Sequence, residues 1–312
     1  MADITKSSSG LMYQDGFSSI TDWTGDTSYF SSASDVAFIT FGYTPIDLLT
    51  CQADQFDAYG VRQPVLFIEN NVWYLLYDGC GRYQWPNDLP ILTSLAVSYD
   101  RGLTWNRIKN FGPNNDSGGT PLVYGYAMGG IEKYGSKYYM YRVILTSTNF
   151  GPYSGDVWEA DSILGPWTYK GDVPKVTSTR SSDQVVPGKP IKVGSTYHLF
   201  EQTSSAVQTG GTYVFGRRSS STPYGTWTQD DAVIVDTNDF PSPGFATGQP
   251  ENPKPFFSNG KYVLTANIFP ASRTLMNSLV LSSSVTDWSA CSIRNVQKEC
   301  PMFYWVNQES FL

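Results

Sequence analysis

The chain has 312 residues, with 21 basic and 28 acidic side chains and a formal net charge of −7. That balance, without any basic stripe, argues against a general nucleic-acid binder or a protein held on anionic membranes. Charged residues make up only 16% and aromatic residues 15%, which counts against disorder and long surface helices and favours strands.

No apolar run approaches the ~18 residues of a membrane span. The opening MADITKSSSG lacks the apolar core of a secretory signal. The expected setting is therefore the cytoplasm or a larger extracellular or virion assembly. Cys51, Cys80, Cys291 and Cys300 show neither CxxC nor zinc-ligand spacing, and His198 is the only histidine. There is no phosphate-binding glycine loop, GxSxG or HExxH.

Five similar phrases run along the chain, each ending in tryptophan: SSITDW to Trp23, SYDRGLTW to Trp105, SILGPW to Trp167, STPYGTW to Trp227 and SSVTDW to Trp288. The last four tryptophans are 62, 60 and 61 residues apart (167−105, 227−167, 288−227). One supersecondary unit repeated at this period accommodates a four-stranded sheet, so the pattern predicts a β-propeller.

Before each of the last four tryptophans lies a hairpin phrase: RQPVLFIENNVWYLLYDG at 62–79, GGIEKYGSKYYMYRVI at 129–144, GKPIKVGSTYHLFEQ at 188–202 and NPKPFFSNGKYVLTAN at 252–267. Each is an apolar run, a polar turn and an alternating aromatic run. Aligning the turns stacks Trp73, Tyr138, Tyr197 and Tyr262, with Leu75, Met140, Leu199 and Leu264 two residues on, on the same sheet face. A third strand follows each hairpin (93–98, 156–162, 212–219, 278–283), and a fourth begins around each tryptophan.

The expected fold is one all-β domain over 1–312, a five-bladed propeller of four-stranded antiparallel blades at about 60–108, 127–170, 185–230 and 250–290. The fifth blade is composite. Residues 10–24 supply its outer strands and 301–307 its inner strand, which removes free sheet edges.

This grammar resembles the five-bladed propeller glycosidases, above all glycoside hydrolase family 43 and its relatives. A Pro-led inner strand and a turn like Ala160-Asp161-Ser162 with Gly165-Pro166-Trp167 recur there. SYDRGLTW at 98–105 also matches the Asp-box of sialidases, which folds a turn. With the inner strand as A and the tryptophan strand as D, the A–B and C–D turns share one face. The longer D–A and B–C loops share the other, and loops on a rigid scaffold commonly carry binding residues.

Glycoside hydrolysis needs two carboxylates across the scissile bond. Asp57, Asp78, Asp88, Asp183, Glu201 and Glu251 fall on the long-loop face. Glu201 ends an apolar strand in HLFEQ, and its alternative reading is a buried partner of an arginine. Family 43 places an Asp directly before the first inner-strand Pro, where this chain has Gln63 before Pro64. It places its acid two residues before the corresponding Pro of the third blade, where this chain has Gly188 before Pro190.

Sialidases resemble the chain at other positions. Arg62-Gln63-Pro64 reads as R-x-P, with Arg82 twenty residues on and Asp88 six further. Glu201, Arg217 or Arg218, Arg273 and Tyr304 then occur in the sialidase order. A guanidinium cluster suits a carboxylated sugar because it binds bidentately.

The residues therefore point to a glycoside hydrolase acting on a terminal sugar or short oligosaccharide in a central pocket. Asp88, Glu201 and Glu251 are its candidate catalytic carboxylates. Arg62, Asp78, Arg82, Trp85, Asp183, Arg273 and Tyr304 are its candidate substrate contacts. A sialidase-like enzyme for a carboxylated sugar and a non-catalytic carbohydrate-binding propeller are the alternatives. The expected partner is carbohydrate, with no nucleic acid and no membrane. No cofactor is expected, and a structural calcium or sodium near the propeller axis is compatible with the fold.

Overall fold

The computed structural model describes residues 30–33, 36–39, 57, 60–80, 91–108, 111–113, 115, 118–122, 126–145, 154–174, 180–205, 213–229, 234–235, 249–258, 260–269, 276–289 and 291–298. The chain divides into two units, 1–49 and 50–312. In the first, β1 (Phe30–Ala33) pairs antiparallel with β2 (Val36–Ile39).

The second unit carries four antiparallel sheets, each a four-stranded meander in chain order. The first holds β3 (Gly60–Glu69), β4 (Val72–Cys80), β5 (Ile91–Ser98) and β6 (Asn106–Ile108). The second holds β7 (Tyr126–Tyr134), β8 (Lys137–Ile144), β9 (Ser154–Ala160) and β10 (Thr168–Val173). The third holds β11 (Arg180–Val193), β12 (Thr196–Ser205), β13 (Tyr213–Ser220) and β14 (Thr228–Gln229). The fourth holds β15 (Gln249–Ser258), β16 (Lys261–Phe269), β17 (Met276–Ser282) and β18 (Ser292–Lys298). The all-β architecture of four-stranded antiparallel sheets is thus as expected. The segments assigned to a composite fifth blade, 10–24 and 301–307, lie outside the described residues.

The hairpins form at the polar turns. Asn70 and Asn71 take positive φ (50° and 62°), as the primed two-residue turns that match strand twist require. Leu75, Met140, Leu199 and Leu264 are all buried, as their common face demands. Successive inner strands lie side by side, β3 next to β7, β7 next to β11 and β11 next to β15.

The apolar faces meet between sheets. Val65, Phe67, Leu76 and Leu95 of the first sheet pack with Ile131, Met140 and Trp158 of the second. Tyr141 and Val157 of the second pack with Leu199 and Trp227 of the third. Phe200 and Phe215 of the third pack with Leu264 and Trp288 of the fourth. The tryptophan ladder has a consistent place in this scheme. Trp167, Trp227 and Trp288 each enter the core between their own sheet and the preceding one.

The Asp-box closes the β5–β6 turn on itself. Ser98 Oγ donates to Asp100 Oδ1 (2.7 Å) and accepts from the Gly102 amide (2.7 Å). The Thr104 amide (2.8 Å) and hydroxyl (2.6 Å) donate to the same carboxylate. These bonds, the Thr104 hydroxyl foremost, hold Asp100 down to about 2 from 3.8. Its contribution to folding is therefore present above about pH 4 and lost as pH falls through about 2. Ser220 and Ser282 repeat the role of Ser98, accepting from the Thr222 and Ser284 amides. Ser98→Ala should cost about 1–2 kcal/mol in urea unfolding, because Ser98 is buried and its loss orphans the turn amides.

Candidate functional site

All four inner strands break register with their neighbours within one residue of the same level of the repeat. The irregularity falls between Arg62 and Val65, between Met128 and Gly130, between Pro187 and Pro190, and between Glu251 and Lys254. A β-bulge re-aims the chain next to the residues that flank it. The last regular pairs before the bulges are Arg62 with Asp78, Met128 with Arg142, Pro187 with Glu201, and Glu251 with Asn267. These pairs form a tier near the ends of the second strands: Arg142 and Glu201 lie two residues beyond the aligned Met140 and Leu199, and Asp78 and Asn267 lie three beyond Leu75 and Leu264. Four predicted site residues (Arg62, Asp78, Glu201, Glu251) fall in it. Asp183 lies nearby, in the irregular stretch of β11 between Ser181 and Val185. Arg82, Trp85, Asp88, Arg273 and Tyr304 lie outside the described residues.

The bulge positions themselves carry Gln63, Gly129, Gly188 and Asn252, with no carboxylate among them. Both glycines are required by packing. A Cβ on Gly188 would overlap the Pro253 carbonyl oxygen, and one on Gly129 would overlap that of Pro187. The place where the family 43 pattern has its acid is therefore closed by the backbone of the adjacent inner strand.

The buried carboxylates of the tier and its surroundings face cations or hydroxyls. Glu201, with no exposed surface, accepts from Arg218 Nε at 2.5 Å across β12 and β13. Asp156 accepts from Arg142 Nε (2.8 Å) and Nη2 (2.5 Å) and from the Trp158 indole (2.9 Å). Asp57 accepts from Arg107 and from the Tyr77 hydroxyl (2.9 Å). Burial, reinforced by that carboxylate, pushes the Tyr77 phenol far up. Asp78, also fully buried, accepts from Thr93 Oγ1 at 3.5 Å. Glu201 thus stands where the sequence places it, in the ion pair that was its alternative reading. Arg217 donates instead to the Val285 carbonyl of the next sheet. His198 is buried opposite Ile191, and burial, then Arg217, lowers its pKa. Its surroundings are those of a packed strand residue.

Three charged groups at the centre escaped sequence reasoning. Glu132 on β7 pairs with Lys189 on β11, and Lys254 on β15 donates to the Gly129 carbonyl. The signal of the two lysines was present in G-K-P and P-K-P, where each stands directly before an inner-strand proline. Among the described residues no group of three or more His, Cys, Asp or Glu is arranged to hold a metal ion.

No family model matches the chain, and no curated protein matches it. Solved structures do match in fold. A family 117 glycoside hydrolase of the marine bacterium Zobellia galactanivorans aligns over 79% of this chain and 72% of its own, with a TM-score of 0.58 and 16% identity. An α-L-arabinofuranosidase of Podospora anserina, in complex with cellotriose, aligns over 80% and 71%, with a TM-score of 0.51 and 11% identity. A mutant α-L-arabinofuranosidase of Fusarium graminearum, in complex with an iminosugar inhibitor, aligns over 76% and 66%, with a TM-score of 0.50 and 13% identity. The chain therefore has a propeller-glycosidase-like fold, the resemblance expected from its blade phrases.

Proposed function

We propose that the protein is a glycoside hydrolase acting on a terminal sugar or short oligosaccharide at the long-loop face of a five-bladed propeller. The carrying observation is the tier at the four bulges. It brings Arg62 opposite Asp78 and sets Glu201 and Glu251 within one residue of the same level of adjoining sheets. The likeness to solved glycosidases supports the same reading at the level of fold.

In this reading Glu251 and Asp88 are the acid/base pair, one protonating the leaving oxygen while the other activates water or attacks. Glu201, bonded to Arg218, is a fixed negative charge at the back of the site. Arg62 and Arg82 bind substrate oxygens, Trp85 stacks on a sugar face, and Asp183, Arg273 and Tyr304 complete the contacts, while Asp78, fully buried, is a positioning carboxylate opposite Arg62.

A second reading, a carbohydrate-binding propeller without catalysis, is favoured by one observation: the backbone of Pro253 bars any side chain at position 188. A panel of chromogenic arabinosides, xylosides, galactosides and sialosides separates the two. The hydrolase reading expects chromophore release from at least one member. Saturable binding of a sugar in calorimetry, with no release from any glycoside, selects the binding module.

A further inference from the structure

Two lysines stand among the inner strands, and the proposed hydrolysis uses neither. Lys189 is 2% exposed, and its ammonium donates to the Glu132 carboxylate of β7. Lys254 is 8% exposed and donates to the Gly129 carbonyl, also on β7. Both occupy the same step of the repeat, directly before Pro190 and Pro255, which pair with Leu199 and Leu264. In the second sheet that step is Gly130, and its bare backbone makes the room. A Cβ there would stand 2.7 Å from the Lys189 Cβ. Two cations borne by the third and fourth sheets thus converge on one strand of the second.

The charged surroundings are mixed. Asp78 of β4 and Lys189 of β11 act on Lys254, and Glu132 of β7 acts on Lys189. Tyr141 of β8 senses Glu132 and is itself pushed far up by burial. On the β12–β13 side, Glu201 and Arg218 are engaged with each other, and Arg217 with the Val285 carbonyl.

We propose that Lys189 and Lys254 form a proton-linked clasp, which holds β11 and β15 against β7 and releases protons in the native state that the unfolded chain retains. Burial opposes the charged form of both lysines. It brings Lys254 down to about 7, against the pull of Asp78 and with the help of Lys189. It brings Lys189 down to about 8, against the pull of Glu132. Each unfolded lysine titrates near 10.5. Between about pH 7 and 10 the unfolded chain therefore binds more protons than the native one, and stability rises with pH. Well below about pH 7 both lysines are charged in both states and their contribution to the slope vanishes. Lys189 also opposes the charged form of Lys254, so discharge of Lys189 removes part of that opposition.

The test needs no substrate, so it stands or falls separately from the hydrolase reading. Calorimetric unfolding of the wild-type protein at about pH 9, in two buffers of different ionisation enthalpy, counts the protons taken up on unfolding. The clasp predicts an uptake of about one to two; an uptake near zero overturns it. Melting temperatures across about pH 6.5–9.5 assign the protons. The wild-type curve should rise, and both Lys254→Met and the paired Lys189→Met/Glu132→Leu should flatten it. The paired variant leaves no buried carboxylate behind. Curves parallel to wild type in both variants would also overturn the proposal.

Discussion

Arg142→Met is expected to lower unfolding stability by about 3–5 kcal/mol, the usual loss when one partner of a buried ion pair is removed. Arg142 has no exposed surface, and Asp156 is 3% exposed. The guanidinium meets both oxygens of Asp156, donates to the Pro113 carbonyl and to that of Asn115 (3.0 Å), and lies 4.6 Å from the Trp158 ring centroid. Methionine fills much of the volume but leaves a buried carboxylate without its cation. Removing both charges, as in Arg142→Met/Asp156→Leu, should destabilise less than the single change because no charge remains to be desolvated. Denaturant unfolding reads both. A single-variant loss under about 1 kcal/mol would show that the pair does not hold β8 to β9.

Gly188→Ala is the second large effect. The new methyl group would overlap the Pro253 carbonyl oxygen and sit 3.0 Å from that of Phe200. Backbone cannot rotate away as a side-chain tip can, so β11 and β15 must separate. Overpacking of this kind costs about 1–3 kcal/mol or more, and the ~0.4–1 kcal/mol that alanine gains through the unfolded state only partly offsets it. Gly188→Glu, which would restore the acid of the family 43 pattern, should be worse. Gly194→Asn is the control. Gly194 is a turn residue with φ +59° and nothing within 4 Å of a Cβ, and asparagine tolerates that conformation. Equal melting temperatures for Gly188→Ala and wild type would show that the two inner strands are not in contact there.

These expectations mark how far the sequence reached. The tryptophan period and the hairpin phrases were enough for the sheets, because strand alternation and turn residues are local signals. The common packing of Trp167, Trp227 and Trp288 against the preceding sheet follows from the same repeat. The bulges were not legible. An extra residue in an inner strand shifts the pairing without disturbing composition, so Gln63 and Gly188 read only as missing acids. Glu201 was visible as a charge in an apolar strand. Its partner was not, since Arg218 lies 17 residues on and meets it only through the cross-strand register. Lys189 and Lys254 were visible as lysines before inner-strand prolines, but their partners were not, since Glu132 and the Gly129 carbonyl lie 57 and 125 residues away and meet them only where the sheets pack.

The most direct test of the central claim is the rate of glycoside hydrolysis by Glu251→Gln beside the wild type and Glu201→Gln. Glu251→Gln should lose about 10²–10⁴-fold in kcat, the range for a removed acid or base, with an unchanged melting temperature. Glu201→Gln should chiefly lower the melting temperature, because it weakens the buried bond to Arg218. Wild-type rates in Glu251→Gln on every glycoside that the protein cleaves would contradict the account.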